Sequence, residues 1–357
     1  MKKSSLYKIC AFAAILLCGV FAACNKAPYD GQSGDKNVIV SSFAGTGMKG
    51  AADGPVSTAT FYSPLGMVFD AAGNMYVVDS GNNKIRKIST SGIVSTFAGT
   101  GVSGSDNGPG TSATFNQPEC IVIDAAGNLY VTDGNQIRKI TPAGVVSTFA
   151  GSAQPGLSNG PVSAATFFIP GNMVIDGAGN IFVSDYGNNV IRKISKAGIV
   201  STFAGSGAFD RNDGPALSAS FNGVGGLAFD AAGNLYVADI YNCSIRKITP
   251  AGMVSTLAGT GNPGILNGMG INASFADPDG LIVNSDGNLY VADSANNLVR
   301  TITPGAVVTS FAGTGSTGVA NGFGNVATFS TPQQVAKDAQ GNIYVTDLAN
   351  QIRKLSR

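Results

Sequence analysis

The amino-acid sequence predicts an all-β fold: a six-bladed β-propeller of four-stranded antiparallel blades, the last blade closed by the N-terminal strand. Three observations predict it. First, VSTFAG and its near copies recur with the fourth residue at Phe43, Phe97, Phe149, Phe203, Leu257 and Phe311, spaced by 54, 52, 54, 54 and 54 residues. Second, the Asp closing YVVD, YVTD, FVSD, YVAD, YVAD and YVTD falls at Asp79, Asp133, Asp185, Asp239, Asp293 and Asp347 with the same spacing. Third, the chain opens on a lone outer-strand motif, Val38 to Ala44, and stops at a third-strand motif, Gln351 to Leu355, so the two ends together supply one complete blade. A fixed long period of this kind is the signature of a repeat architecture.

Four short β-patterned runs build each unit. In the first full unit they are Leu65 to Phe69, Met75 to Asp79, Lys84 to Ile88 and Ile93 to Ala98. Turn chemistry separates them: residues 70–74 read DAAGN, 80–83 SGNN and 89–92 STSG, in which Gly and Asn accept positive φ without strain. Runs such as GMVFD and NMYVVD are apolar on both alternating faces, so these strands are expected to be covered on both sides. Small sheets buried on both faces and repeated six times make propeller blades. A solenoid is the rival, but it needs end caps, and circular closure does not.

Composition narrows the chemistry. Of 357 residues 49 are Gly, only 12% are charged, none is His, and the acids are 20 Asp and one Glu, Glu119. Without imidazole there is no Ser-His-Asp triad, no Cys-His dyad and no ordinary zinc site. Catalysis would have to run on Asp, Glu119, Lys, Tyr or a hard metal.

Residues 1–23 read as a secretory signal: Lys2, Lys3 and Lys8 precede an apolar stretch and small residues lead to Cys24. The segment Phe21-Ala22-Ala23-Cys24 resembles a bacterial lipobox, with Phe21 where that pattern usually has Leu; the resemblance implies cleavage before Cys24 and its lipidation. Asn25 fits sorting to the outer membrane. Residues 24–36 are then the lipidated Cys and a flexible tether, and residues 37–357 the propeller. Loss of the signal leaves a net charge of −2, which recommends no nucleic-acid partner. Cys120 and Cys243 stay in the fold, two repeats apart, and do not read as a pair.

The pattern PLGMVFDAAGNMYVVDSGNNKIRKI, recurring six times, resembles the NHL repeat. The resemblance implies a propeller and leaves function open, because NHL propellers include protein- and RNA-binding modules, sensor domains and, among relatives, lyases and lactonases.

The repeated polar residues read as scaffold. Each second-strand Asp is followed across a hairpin by Arg86, Arg138, Arg192, Arg246, Arg300 or Arg353, so each Asp is expected to balance its own Arg. Long Gly-rich segments such as Gly45 to Thr60 join blade edge to axis and carry an Asp-Gly or Asn-Gly pair in every copy. They lack the Gly-Lys-Ser/Thr of a phosphate loop. These excursions and the Asp-bearing hairpins are expected to share one face, where a ligand or partner would bind.

Function is expected where the copies differ. Entering the innermost strand, the column after the Pro position is Leu65, Glu119, Gly171, Gly225, Asp279 and Gln333. The next is Gly66, Cys120, Asn172, Gly226, Gly280 and Gln334, and the column before is Ser63, Gln117, Ile169, Gly223, Asp277 and Thr331. These should ring the channel mouth, with Glu119 and Asp279 facing one another across the axis. The two carboxylates, with Asn172, offer oxygens of the kind Ca²⁺ accepts; Gln117, Asp277, Gln333, Gln334 and Lys337 are further ligand candidates. The segment Pro278-Asp279-Gly280 also resembles that supplying a metal-binding Asp in the gluconolactonase and senescence-marker-protein family, although here Gly171-Asn172 reverses the family's Asn-Gly order. A merely polar, water-filled pore, a bound cation and an active site all remain open. Lys337 stands where the other blades carry Phe69, Ile123, Ile175, Phe229 and Val283, so its charge should be paired or reach the channel. The leading expectation is a non-catalytic, monomeric, lipid-anchored module binding a protein, peptide or glycan at the bacterial envelope. The alternative is a Ca²⁺-dependent lactonase or lyase.

Overall fold

The computed structural model describes residues 33–357; the signal segment, Cys24 and most of the tether lie outside the described residues. Six antiparallel sheets form the six blades. In the first, Pro64–Phe69, Met75–Asp79, Lys84–Ile88 and Ile93–Ala98 run from axis to rim, the four strands expected. The sixth blade takes Pro332–Lys337, Ile343–Asp347 and Gln351–Ser356 from the C-terminal end and Ile39–Ala44 from the N-terminal end, with Val40 opposite Leu355 and Ala44 opposite Ile352. The ring is therefore closed by three strands and one.

Each blade also gains a fifth strand that the sequence pattern did not announce. It has two residues, Gly54–Pro55 in the first blade, and comes from the Gly-rich excursion as it passes the rim. Its Gly has φ 130, a conformation open to glycine.

The second strand of every blade is buried along its whole length. The core accordingly lies between blades rather than within one. Phe61, Met67 and Val77 of the first blade pack with Ala336, Tyr344 and Ile352 of the sixth. Phe61, Phe115, Phe167, Phe221, Phe275 and Phe329 are fully buried, one per blade.

The Asp–Arg ladder is scaffold, and it reaches further than the hairpin. Arg86 donates to Asp79 at 2.8 Å and to Asp53 of the excursion at 2.6 Å, and also to the carbonyls of Thr60 and Ala52. Asp213 repeats the role of Asp53 in the fourth blade, and Asn107, Asn159, Asn267 and Asn321 do so in the others. The invariant Asp/Asn-Gly pair thus fastens the excursion to a fully buried guanidinium. Asn82 donates to the Gly50 carbonyl, so the excursion and the Asp-bearing hairpin do share a face.

Candidate functional site

The innermost strand starts on that face, with Pro64 opposite Asp79, and ends on the other, with Phe69 opposite Met75. Between Pro64 and Met67 the register shifts, and all six blades repeat the irregularity. Such bulges re-aim side chains. The column of Glu119 and Asp279 lies on the bulge, at the channel mouth.

The bulge has two chemical solutions. In three blades Cys120, Asn172 and Gln334 donate their N–H to Thr132, Ser184 and Thr346 of the second strand. In the other three, Gly66, Gly226 and Gly280 sit opposite a second strand carrying Val78, Ala238 or Ala292 at that place. There the backbones approach closely: a Cβ on Gly226 would stand 2.5 Å from the Asp279 carbonyl, and one on Gly280 2.5 Å from that of Gln333. This ring forms a neck. Beneath it lies a cavity of ≈ 380 Å³ lined by Met67, Ile121, Asn172, Leu281, Gln334 and Lys337 among others.

The neck sorts the candidate residues. Glu119, Asp279 and Gln333 are on the mouth side. Asn172 and Gln334 belong to the neck itself and line the cavity together with Gly66 and Cys120, and Lys337 stands at the opposite end of the channel, where its ammonium donates to the Val283 carbonyl at 2.8 Å. Burial lowers the Lys337 pKa, partly offset by Asp286. Among the described residues no three His, Cys, Asp or Glu side chains converge to hold a metal.

Gln117 and Asp277 belong to a column with a backbone task. Ser63, Gln117, Ile169, Asp277 and Thr331 all have φ between 49 and 56, and Gly223 has 76. The N–H of Gln117 donates to Asn83 Oδ1 of the preceding blade at 2.9 Å, and Ser63, Ile169, Gly223 and Thr331 make the same bond to Asn350, Asn135, Asn189 and Asn297. These bonds stitch blade to blade. Cys243 occupies the Asn place before Asp277, itself left-handed at φ 46.

Two mouth residues escaped the sequence reading. Tyr186 and Tyr241, from the Asp-bearing hairpins of the third and fourth blades, meet hydroxyl to hydroxyl at 2.6 Å. Gly223 leaves room for the Tyr241 ring, 2.8 Å from where its Cβ would be, and a Cβ on Gly171 would stand 3.9 Å from a Glu119 carboxylate oxygen. For Tyr186 the signal was available: the column after the repeated Asp reads Ser80, Gly134, Tyr186, Ile240, Ser294 and Leu348, as varied as the columns of the innermost strand, and Tyr241 stands one place later, after Ile240.

The mouth is electrostatically strained. Burial, then the charges of Glu119 and Asp277, push Asp279 up to about 7. Burial also raises Asp277, with Asp293 adding to it. Burial and the Tyr241 hydroxyl raise Tyr186, and Glu119 and Asp279 act in the same direction. Cys120, buried in the neck, is pushed up to about 12, chiefly by burial. It is an inert thiol. Cys120 and Cys243 are both buried, so a thiol reagent is expected to find neither in the native protein and both after denaturation; prompt native labelling would contradict this packing.

Comparison with known proteins agrees with the geometry. The NHL repeat model matches residues 275–302, and the Teneurin NHL domain model residues 102–169. NHL repeat-containing protein 2 of Homo sapiens is 30% identical over 292 residues, covering 70% of this chain and 40% of that protein. The chain spans less than half the length of the curated relatives it matches. An auxiliary nutrient binding protein from Bacteroides ovatus superposes with a TM-score of 0.69 at 18% identity, covering 90% of this chain and 77% of that one. A virginiamycin B lyase from Staphylococcus aureus, solved with quinupristin as a catalytically inactive histidine-to-alanine variant, superposes with a TM-score of 0.56 at 14% identity, over 90% and 99% of the two chains. Six copies of the motif, six closed blades and the matching repeat model together place this chain in the NHL-repeat β-propeller family.

Proposed function

We propose that this propeller is a non-catalytic binding module, exported and held in the bacterial outer membrane by lipid on Cys24, taking a protein, peptide or glycan at the channel mouth. One observation carries the reading. The repeated charges are consumed by blade scaffold, whereas the mouth on the excursion face holds a blade-specific polar set: Glu119, Asp279, Gln333, Tyr186 and Tyr241. Aromatic and amide groups of this kind suit recognition. The chain has no histidine to repeat a lyase chemistry that an alanine in place of histidine abolishes in the Staphylococcus aureus relative. The Bacteroides ovatus neighbour, described as a nutrient binding protein, favours the same class of role, although at its identity only the fold is shared.

The test is a panel of envelope proteins, peptides and glycans on the intact protein, with Tyr186→Ala, Tyr241→Ala and Glu119→Gln as mouth variants. A ligand should bind the wild type and lose about tenfold or more in affinity, 1.4 kcal/mol, on loss of a central tyrosine. Binding by none of the panel, or binding indifferent to all three changes, would remove the support. The second reading, a Ca²⁺-dependent hydrolase, draws on the mutual field of Glu119 and Asp279, which a cation would relieve. Under the binding-module reading millimolar Ca²⁺ leaves Tm unchanged. A Ca²⁺-induced rise in Tm that Glu119→Gln abolishes would establish the second reading instead.

A further inference from the structure

The outer wall of the ring is not uniform. The second residue of the short edge strand faces solvent in every blade. In the first four blades it is Pro55, Pro109, Pro161 and Pro215. Proline at an edge offers no N–H and blunts pairing. In the fifth and sixth blades it is Met269 and Phe323, 62% and 57% exposed, opposite Val307 and Ile39, the place where every blade carries an exposed apolar residue. Ile271 and Val326, 62% and 56% exposed, enlarge the same two neighbouring edges. The equivalent places in the first three blades carry Ser57 and Thr58, Thr111 and Ser112, and Ser163 and Ala164, and in the fourth Leu217, 63% exposed, and Ser218. Apolar side chains at these edge places thus run from the fourth blade to the sixth, with Met269 and Phe323 replacing proline only in the last two, whereas scattered single exposures would need no explanation.

A second observation says what covers that side. The chain enters the fold there. Gly34 donates its N–H to the Gly313 carbonyl and Asp35 to that of Phe311, and the Val38 carbonyl accepts the N–H of Gly324, the residue after Phe323. Val38 stands where the other blades use Gly92, Gly144, Gly198, Gly252 and Ala306, at the turn between third and fourth strands. The chain therefore enters along the outer strand of the fifth blade, at its seam with the sixth, and passes from beside Gly313 to the turn position that Val38 occupies on the face opposite the mouth. From Cys24 to Ser33 the covalent chain reaches about 30 Å at most. Lys36 is exposed beside the entry, and Arg357 there is paired with Asp35, so the entry carries one net positive charge, which anionic headgroups would attract.

We propose that the outer wall of the fifth and sixth blades is a lipid-facing surface, resting on the headgroup layer of the membrane that holds Cys24 and leaving the channel mouth accessible. The proposal rests on the anchored reading above. It places Met269, Phe323, Ile271 and Val326 at the acyl boundary, as apolar side chains of interfacial elements are.

The test uses the full chain made with its own signal in a bacterial host and reconstituted into vesicles of phosphatidylethanolamine and phosphatidylglycerol. An environment-sensitive fluorophore is attached through Met269→Cys, Phe323→Cys or, on the far wall, Pro109→Cys; Cys120 and Cys243 are buried and do not compete. Doxyl-labelled lipid should quench the labels at 269 and 323 several-fold more than that at 109. Equal quenching at all three positions on protein that floats with the vesicles overturns the proposal and leaves the anchor standing. A chain without acyl on Cys24 by mass spectrometry, and left behind on flotation, overturns both. Labels at 269 and 323 that become shielded without vesicles as protein concentration rises would assign the wall to a second copy of the chain, and also overturn it.

Discussion

Asp279→Asn is expected to stabilise the protein at pH 8 and to leave it nearly unchanged at pH 4. Asp279 is pushed up to about 7 by burial and by Glu119 and Asp277. Its folded pKa thus lies above the unfolded value near 3.8. Between those two values the folded state holds a proton that the unfolded state has released, so stability falls as pH rises through that window and is flat beyond it. Asn cannot ionise and is spared the loss. Each unit of pKa difference is worth about 1.4 kcal/mol, and with a partly exposed side chain the gain at pH 8 should be on the order of 2–3 kcal/mol. Thermal unfolding from pH 4 to 8 checks it. Glu119→Gln should give a smaller gain of the same sign by removing one repelling charge. A variant less stable than wild type at pH 8 would mean that the Asp279 carboxylate is held ionised by a partner, and would favour a bound cation at the mouth.

Arg192→Met is expected to cost about 3–5 kcal/mol, because it strands a buried carboxylate. Arg192 and Asp185 are fully buried and 2.8 Å apart, and the guanidinium also holds Ser158, Asn159 and Thr166 of the excursion. The loss should appear as a fall in Tm of roughly 10 °C. Adding Asp185→Asn should restore part of it, since the uncompensated charge goes. The sixth blade supplies the contrast. Arg353 and Asp347 are 3.7 Å apart, and burial pushes Asp347 up to about 6. Arg353→Met should therefore cost less than Arg192→Met. Equal costs in the two blades would show that the guanidinium acts through the excursion carbonyls and not through its carboxylate.

Most of the fold was legible because the blade is written six times. A turn or strand motif that is ambiguous once is not ambiguous at a fixed spacing, and the Asp–Arg pairing followed from hairpin geometry. The two-residue edge strand was not legible: Gly54–Pro55 has no β pattern and pairs because Arg86 and Asp53 pull the excursion against the rim. The site was legible in part. Comparing columns isolated Glu119 and Asp279, but Tyr186 and Tyr241 stand in the hairpins after the repeated Asp, at successive places, rather than in the innermost strand. Asn172 and Gln334 stand on the bulge itself, one place after the mouth column, and Lys337 at the far end of the innermost strand, in a neck and channel whose existence depends on neighbouring blades.

The sequence by itself determined how many blades there are, which residues form their strands and how the ring closes, because these follow from local pattern and its period. The tertiary structure decided which of the divergent residues meet. Facing across a channel, the raised Asp279 and the apolar wall on two adjoining blades arise from residues far apart in the chain. Their proximity is fixed by closure of the ring, which brings Glu119 to Asp279 and Ile39 to Phe323.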